Sequence, residues 1–329
     1  MEVERRSKLP YAQFVREYVL PRKPVILTDA VDECPALGKW TPEYFRERFG
    51  DRRLPTVSGE MTMREIVDGV LHPEAGRAPF LRESPISWWL PELIPDLAPY
   101  PCYGRPNWLN YPFARWPDVR RSGYAARLMR IGQIEMNFTG AQMRFPTLHM
   151  DLFKTHALLV QWYGTKKFFI FPEQDTKYLY RNRGEWVSAL TDVEHPDLEK
   201  FPEFSKTHMA SFTLQQGETY FNPTGWWHTT RTLDVSVGTA MSLANASNWK
   251  DVTENLLMPE APLRSQLGSL TYRAYLRALG AWKLRHYGFP EISDSVWCRD
   301  SLAHYQRTTG SWAGQSKGGV PDGAMASRY

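Results

Sequence analysis

The sequence predicts a mainly β protein in which α-helices flank a central antiparallel sandwich or barrel. Between residues 130 and 245, short runs of β-forming residues alternate with turn signals, and no helical crossover pattern separates them. Helical spacing of apolar residues precedes this block and returns at 251–287. The predicted strands have the sequences IGQIEMNF, HALLVQWY, KKFFIF, MASFTL, ETYFN and DVSVGTAMSL.

The region before the β block predicts short helices and loops. Thr41 precedes Pro42, which is typical of the N-cap and the first turn of a helix, and this helix should end near Gly50. The other segments that we expect are a helix at 10–20, a strand at 22–27, a helix at 61–71 and ordered loops at 85–120.

The composition excludes several classes of protein. Of the 329 residues, 42% are hydrophobic and 23% are charged, which excludes a mostly disordered chain. No apolar run is long enough to span a membrane, and the N-terminus lacks the apolar core of a secretory signal. The three cysteines are too far apart for a zinc knuckle or a disulfide framework. We therefore expect a cytoplasmic protein with no membrane partner.

A metal centre is predicted at His149 and Asp151. Residues i and i+2 of a strand point to the same face, so this imidazole and this carboxylate can bind one ion. The third ligand should come from a distant strand, and the best candidate is His228, which follows a Pro-Gly turn. Two imidazoles and one carboxylate leave three coordination positions open, which suits Fe(II) that also binds O2 and a cosubstrate.

The same His-x-acid form occurs twice elsewhere, so the motif alone is weak. His72-Pro73-Glu74 and His195-Pro196-Asp197 both have proline at the middle position and lie in sequence typical of loops. We therefore expect neither of them to bind the metal.

Lys166 is predicted to bind an anion. It opens the apolar strand KKFFIF, and an ammonium group is costly to bury unless it meets an opposite charge. The carboxylate of a small cosubstrate would be a suitable partner. The alternative is an exposed lysine at a hairpin turn, which is the role that we assign to Lys167.

Three sequence blocks together resemble a known family. They are His149-Met150-Asp151, then Gly164–Lys167 with Phe171-Pro172, and then Gly217–His228. They are similar to the Jumonji-C branch of the Fe(II)- and 2-oxoglutarate-dependent oxygenases, nearest to the hydroxylase subgroup that includes factor inhibiting HIF. The resemblance implies a double-stranded β-helix, or jelly roll, within a domain at 1–250. Helical spacing predicts a helical segment at 251–300 after it, and the Gly- and Ser-rich composition of 310–329 predicts a flexible tail.

The resemblance also implies the roles of individual residues. Fe(II) would be bound by His149, Asp151 and His228, and 2-oxoglutarate by Lys166. Two further cofactor-binding candidates are Thr147 and Ser242. The family often has threonine where this chain has Pro146, and Thr147, which is one residue further on, is expected to share the strand face of His149. The family often has asparagine at a position that aligns near Ser242, and Asn245 is the alternative candidate for that position.

The implied reaction is an O2-dependent hydroxylation that releases succinate and CO2, with a peptide or protein side chain as the substrate. The acidic residue in His-x-Asp favours a hydroxylase over the histone demethylases of the family, which usually carry His-x-Glu. The alternatives are a small-molecule or tRNA-base hydroxylase, or a metal-binding cupin module without oxygenase activity.

Two further regions raise the question of partners. Residues 103–130 contain six arginines, one acidic residue and interleaved aromatic residues, which suits RNA or an acidic peptide, although we favour arginines that brace an aromatic lobe. Residues 261–290 contain no acidic residue and have a wide apolar stripe. They predict a helix that forms a homodimer, and the alternative is a monomer in which this helix folds back.

Overall fold

The structure is a computed structural model, and it describes most of the chain up to residue 282. The described residues are 1–56, 59–73, 81–105, 107–110, 133–182, 185–255, 270–271 and 273–282. The predicted tail at 310–329 lies outside them, as do most of the arginine-rich region at 103–130 and much of the predicted segment at 251–300.

The core of the described part consists of β-strands. In chain order the strands are β1 (Glu4–Arg6), β2 (Val25–Leu27), β3 (Arg53–Thr56), β4 (Gly59–Thr62), β5 (Leu81–Pro85), β6 (Ile134–Thr139), β7 (His149–Met150), β8 (His156–Tyr163), β9 (Lys166–Phe171), β10 (Ala210–Leu214), β11 (Thr219–Asn222), β12 (Trp227–Thr232) and β13 (Ser236–Leu243).

The helices lie before and after the strands that form the core. They are α1 (Tyr11–Phe14), α2 (Ala36–Lys39), α3 (Pro42–Phe49), α4 (Met63–Leu71), α5 (Ile86–Trp89), α6 (Trp249–Glu254) and α7, which is helical at 270–271 and 273–282. Among the described residues, no helix combines the length and the apolar character needed to cross a lipid bilayer.

The strands form three sheets, of which two face each other and the third consists of β3 and β4. The larger sheet has the order β1-β2-β11-β8-β13-β6-β5, and the smaller sheet has the order β10-β9-β12-β7. All pairs within them are antiparallel except β1 with β2. This arrangement confirms the predicted mainly β class with a jelly-roll core and flanking helices. The N-terminal strands β1 and β2 extend the larger sheet, so the N-terminal region is continuous with the core.

Aromatic residues of the N-terminal helices cover the outer face of the larger sheet. The ring of Phe14 packs edge-on against Phe221, with ring centroids 4.9 Å apart. The ring of Trp40 lies 5.5 Å from that of Trp162, whose Nε1 donates to Thr239. Large aromatic side chains bury much apolar area. Many of the aromatic residues of this chain therefore belong to the core.

Two of the predicted helices begin at a capping residue. The Thr41 side chain accepts a hydrogen bond from the backbone N–H of Tyr44, as predicted for α3. The helix predicted at 61–71 begins at Met63, because Thr62 is its cap and forms a reciprocal capping box with Glu65. The helix predicted at 10–20 consists of α1 and a π-helical turn at Val15–Val19.

The C-terminal helix α7 packs on the core through one face only. Leu276 is buried in a cluster with Trp249, whose Nε1 donates to the backbone carbonyl of Leu276. Leu270 and Trp282 are exposed. The homodimer through residues 261–290 stays a prediction, because much of that segment lies outside the described residues.

A buried histidine holds the turn that precedes the third candidate metal ligand. His156 is fully buried at the start of β8, and its Nδ1 accepts from the backbone N–H of Thr224 at 2.9 Å. Its Nε2 therefore carries the proton and donates to Ser247 Oγ at 2.8 Å. Burial lowers the pKa of His156 to about 3, so the ring stays neutral.

This histidine should make the protein less stable in mild acid. The unfolded chain binds a proton at this imidazole below about pH 6.5, whereas the folded chain does not until about pH 3. The free energy of unfolding should therefore fall by up to about 1.4 kcal/mol per pH unit in that range because of His156. Urea denaturation of the wild type and of His156→Gln at about pH 7 and pH 5 should differ in this loss by about 2 kcal/mol.

The comparison is controlled by its design, because every other ionisable side chain is the same in the wild type and in His156→Gln. Equal pH dependence in the wild type and in His156→Gln would contradict the proton linkage assigned to His156.

Candidate functional site

A cavity opens between the two sheets, and strands of both sheets line it. The large sheet contributes residues of β6, β8 and β13, and the small sheet contributes residues of β7, β9 and β12. The lining residues are Glu135, Asn137, Thr139, Met143, Phe145, His149, Asp151, Leu152, Ala157, Leu159, Lys166, Phe168, His228, Thr229, Thr230, Thr232, Ala240 and Ser242.

The three predicted metal ligands lie together in this cavity. Strands β7 and β12 are antiparallel neighbours, and His149 is the direct cross-strand partner of His228. The centroids of the two imidazoles are 4.3 Å apart. Asp151 directly follows β7, and one ligand atom from each of the three residues lies within 4.8 Å of the others. Among the described residues, this is the group of histidine, cysteine and acidic side chains with the geometry to bind a metal ion.

The surroundings of the three side chains fit a metal site. Nδ1 of His149 lies 3.3 Å from the backbone carbonyl of Thr147, and the ring stacks on Phe145. Such an Nδ1 contact with a carbonyl is usual for a histidine that binds a metal through Nε2. Two imidazoles and one carboxylate are a donor set that suits Fe(II), and three protein ligands leave further positions open.

Lys166 lines the same cavity as the metal ligands. It opens β9 opposite Thr232 of β12, and its side chain runs under Gly238, where an added Cβ would lie 3.7 Å from Nζ. The part of Lys166 that lines the cavity is accessible to solvent, and protein atoms surround the rest of the residue. This burial lowers the pKa of Lys166 to about 8. No carboxylate of the described residues contributes to that shift.

The other predicted cofactor-binding residues occupy different places. Ser242 lines the cavity from β13 beside Ala157. Its rival Asn245 is engaged in the following turn, where its Oδ1 accepts from the backbone N–H and the hydroxyl of Ser247. Thr147 lies outside the lining of the cavity. The parity that we expected it to share with His149 does not hold, because β7 begins only at His149.

The two other His-x-acid motifs lie away from the cavity. The imidazole of His195 is exposed, and Nδ1 lies 3.5 Å from an Asp192 carboxylate oxygen. His72 follows the last turn of α4. The ammonium of Lys167 points to the opposite face from Lys166 and pairs with Glu194 at 3.2 Å. It therefore belongs to a surface ion pair.

Sequence reasoning missed the polar residues that line the cavity from β6 and a buried amide of β11 that contacts Asp151. Glu135, Asn137 and Thr139 alternate along β6, and this period-two pattern of polar residues was visible in the sequence. Asn222 of β11 donates to the Asp151 carboxylate at 2.9 Å. The signal for Asn222 in the sequence was one amide at the end of a strand rich in aromatic residues.

Comparison with known families agrees with this geometry. Residues 125–255 match the sequence model of the family described as a cupin-like domain. This match covers the three candidate metal ligands and Lys166, and the fold around them is the jelly roll described above. Residues 125–255 are therefore similar to a cupin-like domain.

Individual relatives are similar over a larger part of the chain. Lysine-specific demethylase 8 of Xenopus tropicalis is 27% identical over 237 residues, which are 68% of this chain and 48% of the relative. Lysine-specific demethylase JMJ30 of Arabidopsis thaliana is 26% identical over 253 residues, which are 74% of this chain and 55% of the relative.

Human HSPB1-associated protein 1 is 32% identical over 124 residues, which are 36% of this chain and 24% of the relative. This chain spans about half the length of the two demethylases. The hydroxylase subgroup that the sequence favoured stays a prediction, since none of these relatives carries the name of a hydroxylase.

Affinity for a dicarboxylate should depend on pH through Lys166. Because the pKa of this ammonium is about 8, we expect the Kd for 2-oxoglutarate to be constant below that pH and to rise above it, toward about tenfold per pH unit. Lys166→Met should weaken binding by about 10- to 100-fold at neutral pH, since a hydrogen bond to a charged group contributes about 1.5–3 kcal/mol. Calorimetric titration of the Mn(II)-loaded protein measures both effects.

The charge-conserving variant is the control for the pH dependence. Lys166→Arg keeps its charge throughout this range, so its Kd should not rise near pH 8. The same rise in Lys166→Arg as in the wild type would show that another group causes it.

Proposed function

We propose that this chain is an Fe(II)- and 2-oxoglutarate-dependent oxygenase that hydroxylates a peptide or protein side chain. The observation that carries the proposal is that one cavity contains both the His149–Asp151–His228 group and the ammonium of Lys166. The first provides ligands that suit Fe(II), and the second provides a cation deep in the same cavity for an organic acid.

Each of the four site residues would have its own role in this reaction. His149, Asp151 and His228 would hold the iron, which when bound supplies the activation of O2. Lys166 would bind the distal carboxylate of 2-oxoglutarate and so fix its orientation in the cavity. The net reaction converts 2-oxoglutarate, O2 and a C–H bond into succinate, CO2 and an alcohol, and one oxygen atom enters each of succinate and the alcohol.

The remaining wall of the cavity would protect this chemistry from water. Leu152, Ala157, Leu159 and Phe168 are apolar and line the cavity together with the ligands. A site of low water content strengthens the attraction between Lys166 and a carboxylate. It also limits side reactions of reactive species.

The names of the relatives support a protein substrate. Two of them are called lysine-specific demethylases. These names favour demethylation of a side chain as a second candidate function. The same site would serve both, because hydroxylation of an N-methyl carbon is followed by loss of formaldehyde.

Turnover of 2-oxoglutarate tests the proposal before the substrate is known. The wild type with Fe(II), O2 and 2-oxoglutarate should form succinate. Asp151→Ala should lower the rate by more than about 100-fold, because even the partners of metal ligands contribute about 10- to 100-fold. His195→Ala is the matched control from a His-x-Asp motif outside the cavity, and it should keep the wild-type rate.

The products formed on a peptide library then separate the two candidate functions. Hydroxylation adds one oxygen atom to a peptide, whereas demethylation removes one methylene unit and releases formaldehyde. A wild type that forms no more succinate than Asp151→Ala would contradict the oxygenase and leave the metal-binding cupin module.

A further inference from the structure

Two buried polar side chains of β11 face the space between the sheets. Tyr220 and Asn222 have no exposed surface, and they alternate with Thr219 and Phe221 along the strand. The Tyr220 ring packs on Phe168 and Phe212 of the smaller sheet. Asn222 therefore points into the interior of the jelly roll, where a polar group is costly unless it is hydrogen-bonded.

The amide of Asn222 contacts two of the candidate metal ligands. Its Nδ2 lies 2.9 Å from Oδ2 of Asp151 and 3.2 Å from Nδ1 of His228. Its Oδ1 accepts from the Tyr220 hydroxyl at 3.0 Å.

Hydrogen-bonding chemistry fixes which way this amide faces. A carboxylate only accepts hydrogen bonds, so the NH2 group must face Asp151 and the amide oxygen must face Tyr220. The reversed amide would place its oxygen against a carboxylate oxygen. The Tyr220 hydroxyl then holds the amide oxygen in place from the other side.

These contacts lie on the far sides of the two ligands. Asn222 holds Oδ2 of Asp151, while the other oxygen, Oδ1, lies 4.0 Å from Nε2 of His228. Asn222 also lies against the edge of the His228 ring that bears Nδ1, but this contact is no hydrogen bond when a metal is bound, because an imidazole that binds a metal through Nε2 keeps its proton on Nδ1. Oδ1 of Asp151 and Nε2 of His228 therefore face each other, and these are the atoms that would bind a cation between the two residues.

We propose that Asn222 is a positioning residue, which orients the Asp151 carboxylate for binding of the metal ion. The inference rests on the proposed function, because it concerns the same site. Without the amide, the Asp151 carboxylate would lose a charge-assisted hydrogen bond and could rotate away from the ion. Partners of metal ligands contribute about 10- to 100-fold in metal affinity.

Cobalt titration tests this role without any turnover. Asn222→Leu is similar in size and removes the amide, and it should raise the Kd for Co(II) by about 10- to 100-fold and alter the visible ligand-field bands of the bound ion. Tyr220→Phe keeps Asn222 but removes the hydroxyl that holds it, so we expect a smaller loss, about three- to tenfold.

A neighbouring residue of the same strand provides the control. Thr219 is also fully buried, and its hydroxyl has no hydrogen-bond partner among the described residues, so Thr219→Val conserves shape and touches no ligand. It should keep the wild-type Kd and the wild-type bands. Thermal melting of each variant shows whether it is folded. If Asn222→Leu does not fold, the Kd of Tyr220→Phe for Co(II) decides the test.

The outcomes separate the inference from the function that it rests on. Wild-type protein that binds no Co(II) would overturn the metal site and the inference with it. Wild-type binding together with wild-type Kd and bands in Asn222→Leu and Tyr220→Phe would overturn the role of Asn222 alone. Weakened binding in Thr219→Val to the same degree would show a general effect of altering β11, and it would also overturn that role.

Discussion

The candidate site depends above all on the pairing between the two-residue strand β7 and β12. This pairing places His149 directly opposite His228 and orients both imidazoles toward the same cavity. Because side chains of a strand alternate between faces, a shift of one residue would turn one imidazole away from the other. The register in turn depends on the turn at Pro223–Gly225, which His156 holds through the backbone of Thr224. The buried histidine and the candidate metal ligands therefore form one structural unit.

The second constraint is that polar groups inside an apolar jelly roll need partners. The Tyr220 hydroxyl donates to Asn222, and Asn222 donates to the candidate metal ligand Asp151, so the burial of both polar groups is accounted for within the site. Lys166 is different, since no carboxylate of the described residues shifts its pKa and burial alone lowers it. A buried ammonium that faces a cavity favours the binding of an anion, and the proposed cosubstrate supplies one.

Much of this site could be predicted from the sequence. The strand period suggested His149 and Asp151 as a pair, and the structure places both at one site although Asp151 directly follows β7; Thr41 showed where α3 begins. The contact of Asn222 with Asp151 could not be predicted, because it depends on the register between β11 and its neighbours. Thr147 shows the limit of parity arguments, since they hold only inside a strand and β7 starts after it. The π-helical turn at Val15–Val19 has no sequence pattern distinct from that of an α-helix.

The central claim is that one cavity binds both Fe(II) and 2-oxoglutarate, and anaerobic visible absorption tests it most directly. Fe(II) and then 2-oxoglutarate are added to the purified metal-free protein, to His149→Ala and to Lys166→Ala. We expect a charge-transfer band in the wild type, no band in His149→Ala and a band that needs more 2-oxoglutarate in Lys166→Ala. A wild type that binds the metal but shows no band with 2-oxoglutarate would contradict the account.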